Sequence, residues 1–81
     1  MGKNQREIES WLVDWVSRST ELPPEEITVD GALADFGVDS SRAVGLVSDL
    51  EKWLGRNLEA TLLWDFPTIR ALSAHLTKQA R

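Results

Sequence analysis

The sequence predicts an all-α fold: a small four-helix bundle with three main helices and a short third helix. Three stretches of the 81-residue chain place apolar residues at helical spacing, and no stretch shows the alternation of a half-buried strand. Proline and glycine separate these stretches, at Pro23, Pro24, Gly37, Gly55 and Pro67. A chain of this length suits one domain, so we expect residues 1–81 to form a single unit.

The first helix is predicted over residues 5–17. Asn4 is a good N-cap, and Glu7 stands three residues later, as in a capping box. The apolar residues of this stretch share one broad face: Ile8, Trp11, Leu12, Trp15 and Val16. This face should pack against the rest of the bundle.

A long connection follows, because the Pro23-Pro24 pair ends the first helix and the next apolar-periodic stretch begins only after Val38. A structureless loop of that length is unusual in a compact domain, so apolar side chains must anchor it. The candidate anchors are Ile27, Leu33 and Phe36. Asp30 is placed to cap a short turn over residues 31–35.

The second helix is predicted to begin at Asp39 or Ser40 and to end at Trp53 or Leu54. Asp39 is its expected N-cap, and Gly55 its expected left-handed C-terminal residue. The predicted buried stripe consists of Ala43, Leu46, Val47, Leu50 and Leu54. Gly45 in the helix interior indicates either close approach by another surface or no selection for helix strength.

Two further helices complete the bundle. Leu58 is an apolar anchor in the next loop, and Thr61 is placed to cap a short helix over residues 62–65. Thr68 follows Pro67 as the expected cap of the last helix, whose inner face is Ile69, Leu72, Ser73 and Leu76. Lys78 and Arg81 would complement the dipole at its C-terminal end.

Composition narrows the functional classes. The net charge is −4, and an acidic chain is a poor ligand for nucleic acid, because phosphate contacts supply most of that affinity. The absence of cysteine excludes a thiolate nucleophile and fits a reducing cytoplasm. No apolar run approaches the roughly 20 residues that span a bilayer, so we expect no membrane partner. We expect a monomer. We also expect no metal site, since Asp30, Asp35 and Asp39 lack calcium-loop spacing.

The most informative segment is the turn that leads into the second helix, Phe36-Gly37-Val38-Asp39-Ser40-Ser41. It sets a hydroxyl at a helix N-terminus, where backbone N–H groups and the helix dipole favour a phosphate. We therefore interpret Ser40 as the anchor of a phosphate-linked prosthetic arm. A hydrolase would need His75 beside Ser40 and a nucleophile-elbow motif, which the sequence lacks, so no catalytic residue is predicted.

Three stretches resemble the acyl carrier protein family. The Gly37-Val38-Asp39-Ser40 segment is similar to its Gly-x-Asp-Ser motif. Trp53-Leu54-Gly55, followed by Leu58, and the run from Thr61 to Ile69 look like the corresponding regions of polyketide-synthase carrier domains. The resemblance extends from about Ile8 to Leu76 and implies a four-helix bundle of acyl-carrier-protein type.

The resemblance also implies the cofactor and the partners. In that family a magnesium-dependent phosphopantetheinyl transferase modifies the serine with 4′-phosphopantetheine from coenzyme A, and here that serine is Ser40. The thiol of the arm then carries an acyl group as a thioester. Further partners would be an acyl-loading enzyme (an acyltransferase or an acyl-AMP ligase) and a ketosynthase or other synthase domain. The expected partner contacts are Asp39, Ser41, Val44 and Trp64.

Departures from the family pattern refine this interpretation. Ser41 stands where an apolar residue is common, which leaves Ser41 as a second candidate for modification. Arg42, Gly45, Lys52 and Trp53 dilute the acidic second helix of fatty-acid carriers, which favours polyketide or lipid biosynthesis. Peptidyl carriers usually have His at the position of Asp39. The alternatives are a peptidyl carrier of nonribosomal peptide synthesis and a helical protein-interaction module without a prosthetic group.

Overall fold

The computed structural model describes residues 4–59 and 61–79, with side chains as far as Thr77. This part of the chain forms four α-helices, which confirms the all-α prediction. They are α1 (Gln5–Thr20), α2 (Ser40–Leu54), α3 (Leu62–Asp65) and α4 (Ile69–Gln79), with two short 3₁₀ helices, Pro24–Glu26 and Leu33–Phe36, between α1 and α2. None of the helices described is both long and apolar enough to span a bilayer.

α1 begins as the sequence predicts and ends later. The Asn4 side chain accepts from the Glu7 N–H at 2.8 Å and the Glu7 carboxylate accepts from the Asn4 N–H, which completes the capping box. The helix continues beyond residue 17 to Thr20, whose hydroxyl donates to the Val16 carbonyl at 2.6 Å. Glu21 then ends it in the left-handed conformation, with φ of 64°. The predicted end was therefore wrong by three residues.

One apolar core joins α1, α2 and α4. Side chains with no exposed surface come from all three helices: Ile8, Leu12, Val16, Leu46, Leu50, Ile69, Leu72 and Leu76. Ser73 is equally buried; its hydroxyl lies 3.0 Å from the Arg70 carbonyl and 3.4 Å from the Glu9 carboxylate of α1, so this buried polar group has partners. The predicted inner face of α4 is confirmed in full. On α1 and α2 the predicted faces pack against the core, but four of their members are only half-buried: Trp11, Trp15, Ala43 and Leu54.

The connection between α1 and α2 is anchored at both predicted and unpredicted points. Ile27 and Leu33 are buried, as predicted, and Phe36 is half-buried. Asp30 does not cap the turn that follows it, so that prediction was wrong. Its carboxylate instead accepts from Arg70 Nε at 2.7 Å, while the adjacent 3₁₀ helix begins after Ala32 without a side-chain cap.

The same connection is hydrogen-bonded to the start of α4. The Leu33 N–H donates to the Pro67 carbonyl at 2.9 Å, and the Arg70 N–H donates to the Val29 carbonyl at 2.9 Å. Ala32 and Thr68 form an isolated antiparallel bridge. These bonds hold the loop against the α3–α4 junction, which positions the residues that precede α2.

The caps of the shorter helices agree only in part with the sequence. The Thr68 hydroxyl accepts from the Ala71 N–H at 3.1 Å, which confirms Thr68 as the cap of α4. Thr61 precedes α3 but makes no side-chain capping bond, because its backbone is already helical (φ −79°, ψ −3°). The side chain of Lys78, and Arg81, lie outside the described residues.

Candidate functional site

The N-terminus of α2 presents an exposed hydroxyl on a capped helix. Ser40 is the first residue of α2 and is exposed. The Asp39 carboxylate accepts from the Arg42 N–H at 2.9 Å and so satisfies one of the free donors of the first turn. Gly37, with φ of 92°, makes the turn that delivers Asp39 to this position.

The charges around Ser40 suit an anion. The unpaired N–H groups of the first turn carry the positive end of the helix dipole. Arg42 adds a guanidinium whose Nη1 donates to the Gly37 carbonyl at 3.1 Å, so this cation is held against the loop that precedes Ser40. A phosphate linked to the Ser40 oxygen would be stabilised by the free N–H groups of this turn.

An apolar groove opens beside Ser40. Its volume is about 340 Å³, and Ser40 and Asp39 line it together with residues of the preceding loop and of α3. Its apolar lining consists of Ala32, Leu33, Ala34, Val38, Ala43, Leu63, Trp64 and Pro67. Trp64 contributes to this lining although it is 74% exposed.

The structure separates the predicted contact residues into two groups. Asp39 and Trp64 lie with Ser40 along the groove. Ser41 and Val44 are exposed on α2 outside the groove lining, and Val44 is 62% exposed. An exposed valine next to a site is available to another molecule.

His75 is not part of this site. Its ring stacks on Phe66 with the centroids 4.0 Å apart, and it lines a separate pocket with Leu58 and Glu59. Ser40 therefore does not have His75 as a general base. Within residues 4–59 and 61–79 no group of three or more acidic or histidine side chains is arranged to hold a metal ion.

Sequence reasoning missed most of the groove. Trp64 was predicted as a partner contact, but Ala34, Leu63 and Pro67 were not identified as neighbours of Ser40. These residues lie together because the loop before α2 is bonded to the α3–α4 junction, for example by the Leu33 N–H to the Pro67 carbonyl. Leu33 was the one groove residue of this loop that the sequence singled out, and it was interpreted as an anchor of the loop in the core.

The fold and the site define a class of protein, a small helical bundle that presents an exposed hydroxyl at a helix N-terminus. The chain belongs to the phosphopantetheine attachment site family, whose model matches residues 10–76. It is therefore a non-catalytic phosphopantetheine carrier protein.

Curated relatives include both synthase domains and separate carriers. The chain is 38% identical over 72 residues to a phenolphthiocerol/phthiocerol polyketide synthase polypeptide of Mycobacterium tuberculosis; the match covers 89% of this chain and 4% of that protein. It is 33% identical over 67 residues to acyl carrier protein TtuC of Teredinibacter turnerae, covering 83% of this chain and 77% of that protein. The chain thus spans a small fraction of the synthase and most of the carrier.

A solved structure has the same fold. A free-standing peptidyl carrier protein from an uncharacterized secondary metabolic pathway of Acinetobacter baumannii superposes with a TM-score of 0.90 at 32% identity. The match covers 96% of this chain and 98% of that one. The similarity confirms the predicted bundle and its carrier-protein type.

The residues present fit the prosthetic group of the family. A phosphopantetheine arm needs an accessible hydroxyl, a surrounding that tolerates a phosphate diester, and room for a flexible chain to leave the surface. Ser40 is exposed, the first turn of α2 supplies free N–H donors, and the adjoining groove is open to solvent at Trp64.

Proposed function

We propose that Ser40 is the attachment residue and that the protein carries acyl or polyketide intermediates between enzymes of polyketide or lipid biosynthesis. The observation that supports this most directly is the exposed Ser40 hydroxyl on the capped N-terminus of α2, beside an open groove. In the modification, the Ser40 oxygen would form a phosphodiester with the phosphopantetheine of coenzyme A, and 3′,5′-ADP would leave. The thiol of the attached arm supplies thioester chemistry.

Ser40 is preferred to its neighbour Ser41 for two reasons. Ser40 stands in register with Gly37 and Asp39, as in the motif of the family. It also lines the groove, whereas Ser41 lies outside the groove lining. An arm on Ser40 would therefore begin at the edge of an apolar surface.

Docking of the partner enzymes would use the exposed residues around this anchor. We assign Asp39, Ser41, Val44 and Trp64 to contacts with the transferase, with a loading enzyme and with a ketosynthase or other synthase domain. Val44 and Trp64 are 62% and 74% exposed, so both are available without rearrangement of the core. Such a surface suits a small, short-lived complex, because a carrier must leave each enzyme quickly.

The polyketide assignment rests on the similarity to synthase carrier domains and on the composition of α2. We propose that residues 1–81 act as one carrier domain, as a monomer in the cytoplasm. A peptidyl carrier remains the second candidate, because a free-standing peptidyl carrier protein is structurally similar to this chain. Asp39, at a position where peptidyl carriers usually have His, favours the acyl assignment.

Mass spectrometry tests the attachment residue. The apo protein is incubated with coenzyme A and a broad-specificity phosphopantetheinyl transferase. We expect the mass of one phosphopantetheine group to be added to the unmutated protein and to Ser41→Ala, and no addition to Ser40→Ala. Modification of Ser40→Ala would refute the assignment, and no modification of the unmutated protein would favour an interaction module without a prosthetic group.

A loading assay separates the acyl and peptidyl candidates. The modified protein is offered to an acyl-loading enzyme, either an acyltransferase with malonyl-coenzyme A or an acyl-AMP ligase with a fatty acid. A parallel reaction uses an aminoacyl-adenylating enzyme with an amino acid. We expect thioester formation with the acyl-loading enzymes. Thioester formation with the amino acid, and not with either acyl-loading enzyme, would instead identify a peptidyl carrier.

A further inference from the structure

Asp30-Gly31 is the one place in the sequence where glycine directly follows an aspartate or an asparagine. It lies in the connection between α1 and α2, in a turn that the Gly31 N–H closes by donating to the Thr28 carbonyl at 3.3 Å. In an Asp-Gly pair the glycine nitrogen can attack the side-chain carboxyl carbon of the aspartate, because glycine has no side chain to obstruct the approach. The pair is therefore open to chemical change unless other contacts restrain it.

The fold favours both residues of this pair. A Cβ at position 31 would lie 2.7 Å from Phe36 Cζ and from Thr28 Oγ1, so these two side chains would have to move for any residue other than glycine. At position 30 the carboxylate accepts from Arg70 Nε at 2.7 Å, which joins the connection to the first turn of α4. Packing thus accounts for the glycine, and the ion pair accounts for the aspartate.

We propose that Asp30-Gly31 is a site of spontaneous isomerisation to isoaspartate and that Arg70 is the residue that slows it. In the first step the Gly31 nitrogen forms a bond to Cγ of the protonated Asp30 carboxyl group. The proton of the nitrogen and the hydroxyl of the carboxyl group leave together as water, and a cyclic imide results. The reaction needs neither Ser40 nor its prosthetic arm.

The second step is hydrolysis of the imide. Water adds its hydroxyl to one of the two imide carbonyl carbons, the bond from that carbon to the nitrogen breaks, and the nitrogen takes the remaining proton. Opening at Cγ restores aspartate. Opening at the former main-chain carbonyl carbon leaves isoaspartate, in which the main chain runs through Cβ and Cγ. One water is lost and one is gained, so the mass of the protein does not change.

Arg70 restrains the first step through the ion pair. The Asp30 carboxylate must leave the guanidinium, take up a proton and turn its carbon toward the Gly31 nitrogen before the new bond can form. The N–H bond of Gly31 to Thr28 adds little, since its 3.3 Å is longer than the usual range of about 2.7–3.2 Å. The ion pair is therefore the contact that holds the reacting carbon away from the nitrogen.

This restraint is incomplete because the ion pair is open to solvent. The side chains of Arg70 and Asp30 are 59% and 73% exposed. Ion pairs with this exposure are weak, and salt screens them. The pair should open repeatedly, and each opening gives the carboxyl group access to water and to the Gly31 nitrogen. We therefore expect slow isomerisation in the folded protein.

Isomerisation would disturb the contacts between this connection and α4. The Arg70 N–H donates to the Val29 carbonyl at 2.9 Å on one side of the pair, and Ala32 bridges to Thr68 on the other side. Isoaspartate adds one carbon atom to the main chain between these two contacts. It also attaches the carboxylate directly to Cα, which shortens its reach toward Arg70. The connection should then lose part of its attachment to α4.

Mass spectrometry on the full chain tests the proposal. The folded protein is incubated at neutral pH in water enriched in oxygen-18, digested, and sequenced by electron-transfer fragmentation. We expect isoaspartate with one heavy oxygen atom at position 30, forming about two- to fivefold faster in Arg70→Gln, because exposed ion pairs are weak. Equal rates in the two proteins would overturn the role of Arg70, and no isoaspartate at position 30 in either protein would overturn the site.

Further variants separate the ion pair from a general change in the protein. Arg70→Lys keeps a positive charge and should react at nearly the unmutated rate. Arg18→Gln removes the other exposed ion pair, with Asp14 at 3.1 Å, and is the matched control that should leave the rate at Asp30 unchanged. Asp30→Glu should form no isomer, since its carboxyl carbon lies one bond further away. An Arg18→Gln rate as high as that of Arg70→Gln would overturn the specific role of Arg70.

Salt provides an independent measurement. High salt should accelerate the reaction in the unmutated protein and leave Arg70→Gln unchanged, because only the unmutated protein has a pair to screen. An equal response of both proteins would contradict restraint by the ion pair. Hydrogen exchange on the isolated isoaspartate form then tests the consequence. We expect faster exchange of the Leu33 and Arg70 amides, and unchanged exchange there would overturn the loss of attachment to α4.

Discussion

The two ends of α2 differ in how tightly other parts of the protein hold them. At the N-terminal end Ser40 and Ser41 are exposed, and Val44 is 62% exposed. At the C-terminal end Trp53 stacks on Trp11, with ring centroids 5.1 Å apart. One helix thus combines an open end with an end that is covered by α1.

Hydrogen bonds reinforce the contrast. The Glu51 carboxylate accepts from the Leu58 N–H at 2.7 Å, and the Arg56 guanidinium donates to the Leu76 carbonyl of α4 at 2.8 Å. Between the two ends, Trp15 Nε1 donates to the Asp49 carboxylate at 2.8 Å. These bonds attach α2 to the rest of the bundle from its middle to its C-terminal end. The bundle therefore does not need contacts from the first turn of α2, which stays exposed.

The largest expected effect comes from the middle of α2. Leu46 has no exposed surface, and Leu46→Ala should lower the free energy of unfolding by about 2–5 kcal/mol, as truncation of buried leucines does. Urea denaturation followed by circular dichroism measures the change. Val44→Ala, two residues earlier on the exposed side, is the control and should stay within about 0.5 kcal/mol. Equal effects at the two positions would contradict the assigned faces of α2.

The C-terminal end of α2 depends on a glycine. Gly55 has φ of 73°, and no atom lies within 4 Å of the position that a Cβ would take, so only the backbone conformation resists substitution. Gly55→Ala should therefore lower the free energy of unfolding by about 1–2 kcal/mol. Gly55→Asn should cost less, because asparagine adopts the left-handed region more readily. Thermal unfolding of the two variants gives the order of their stabilities. An unchanged stability of Gly55→Ala would contradict the left-handed conformation assigned to the residue that ends α2.

The N-terminal end depends on a side-chain cap. Asp39→Ala removes the carboxylate that accepts from the Arg42 N–H and should lower the free energy of unfolding by about 1 kcal/mol. Asp39→Asn keeps an acceptor at the same place and should stay near the unmutated value. Hydrogen exchange adds a local measurement: we expect faster exchange in the first turn of α2 and no change near Trp53. Faster exchange along the whole helix would mean that the two ends are coupled.

Elements whose signals are local were predicted well. The Asn4 capping box, the start of α2 after Asp39 and its end at Gly55 each depend on residues within one turn, and the structure confirms them. The inner face of α4 follows from spacing alone and is also confirmed. Such features need no knowledge of the remaining chain.

Features that depend on distant residues were not predicted. Asp30 was expected to act on its own turn, but Arg70 lies close enough in the fold to take its carboxylate. The groove needs the Leu33–Pro67 contact between segments far apart in the sequence. These contacts appear only when the chain is folded.

The smallest expected change in stability is at Gly45 in α2, where a substitution should stabilise the protein and not destabilise it. The sequence left two explanations for Gly45: close approach by another surface, or no selection for helix strength. The structure favours the second explanation, since a Cβ at position 45 would meet only Trp15 Cζ2, at 3.9 Å. That distance is an ordinary van der Waals contact, so an alanine fits without displacement. Gly45→Ala should raise the free energy of unfolding by about 0.5–1 kcal/mol, because glycine loses more conformational freedom in a helix.

The same chemical change at Gly55 should destabilise the protein, which makes the two variants a matched pair measured under identical conditions. Modification of Ser40 by the transferase should be unchanged in Gly45→Ala, since position 45 lies outside the groove lining. A loss of stability in Gly45→Ala would mean that Trp15 cannot tolerate the added methyl group. In that case the packing of α1 against α2 would extend further toward the N-terminal end of α2 than the described contacts indicate. The two ends of α2 would then differ less in how tightly α1 holds them.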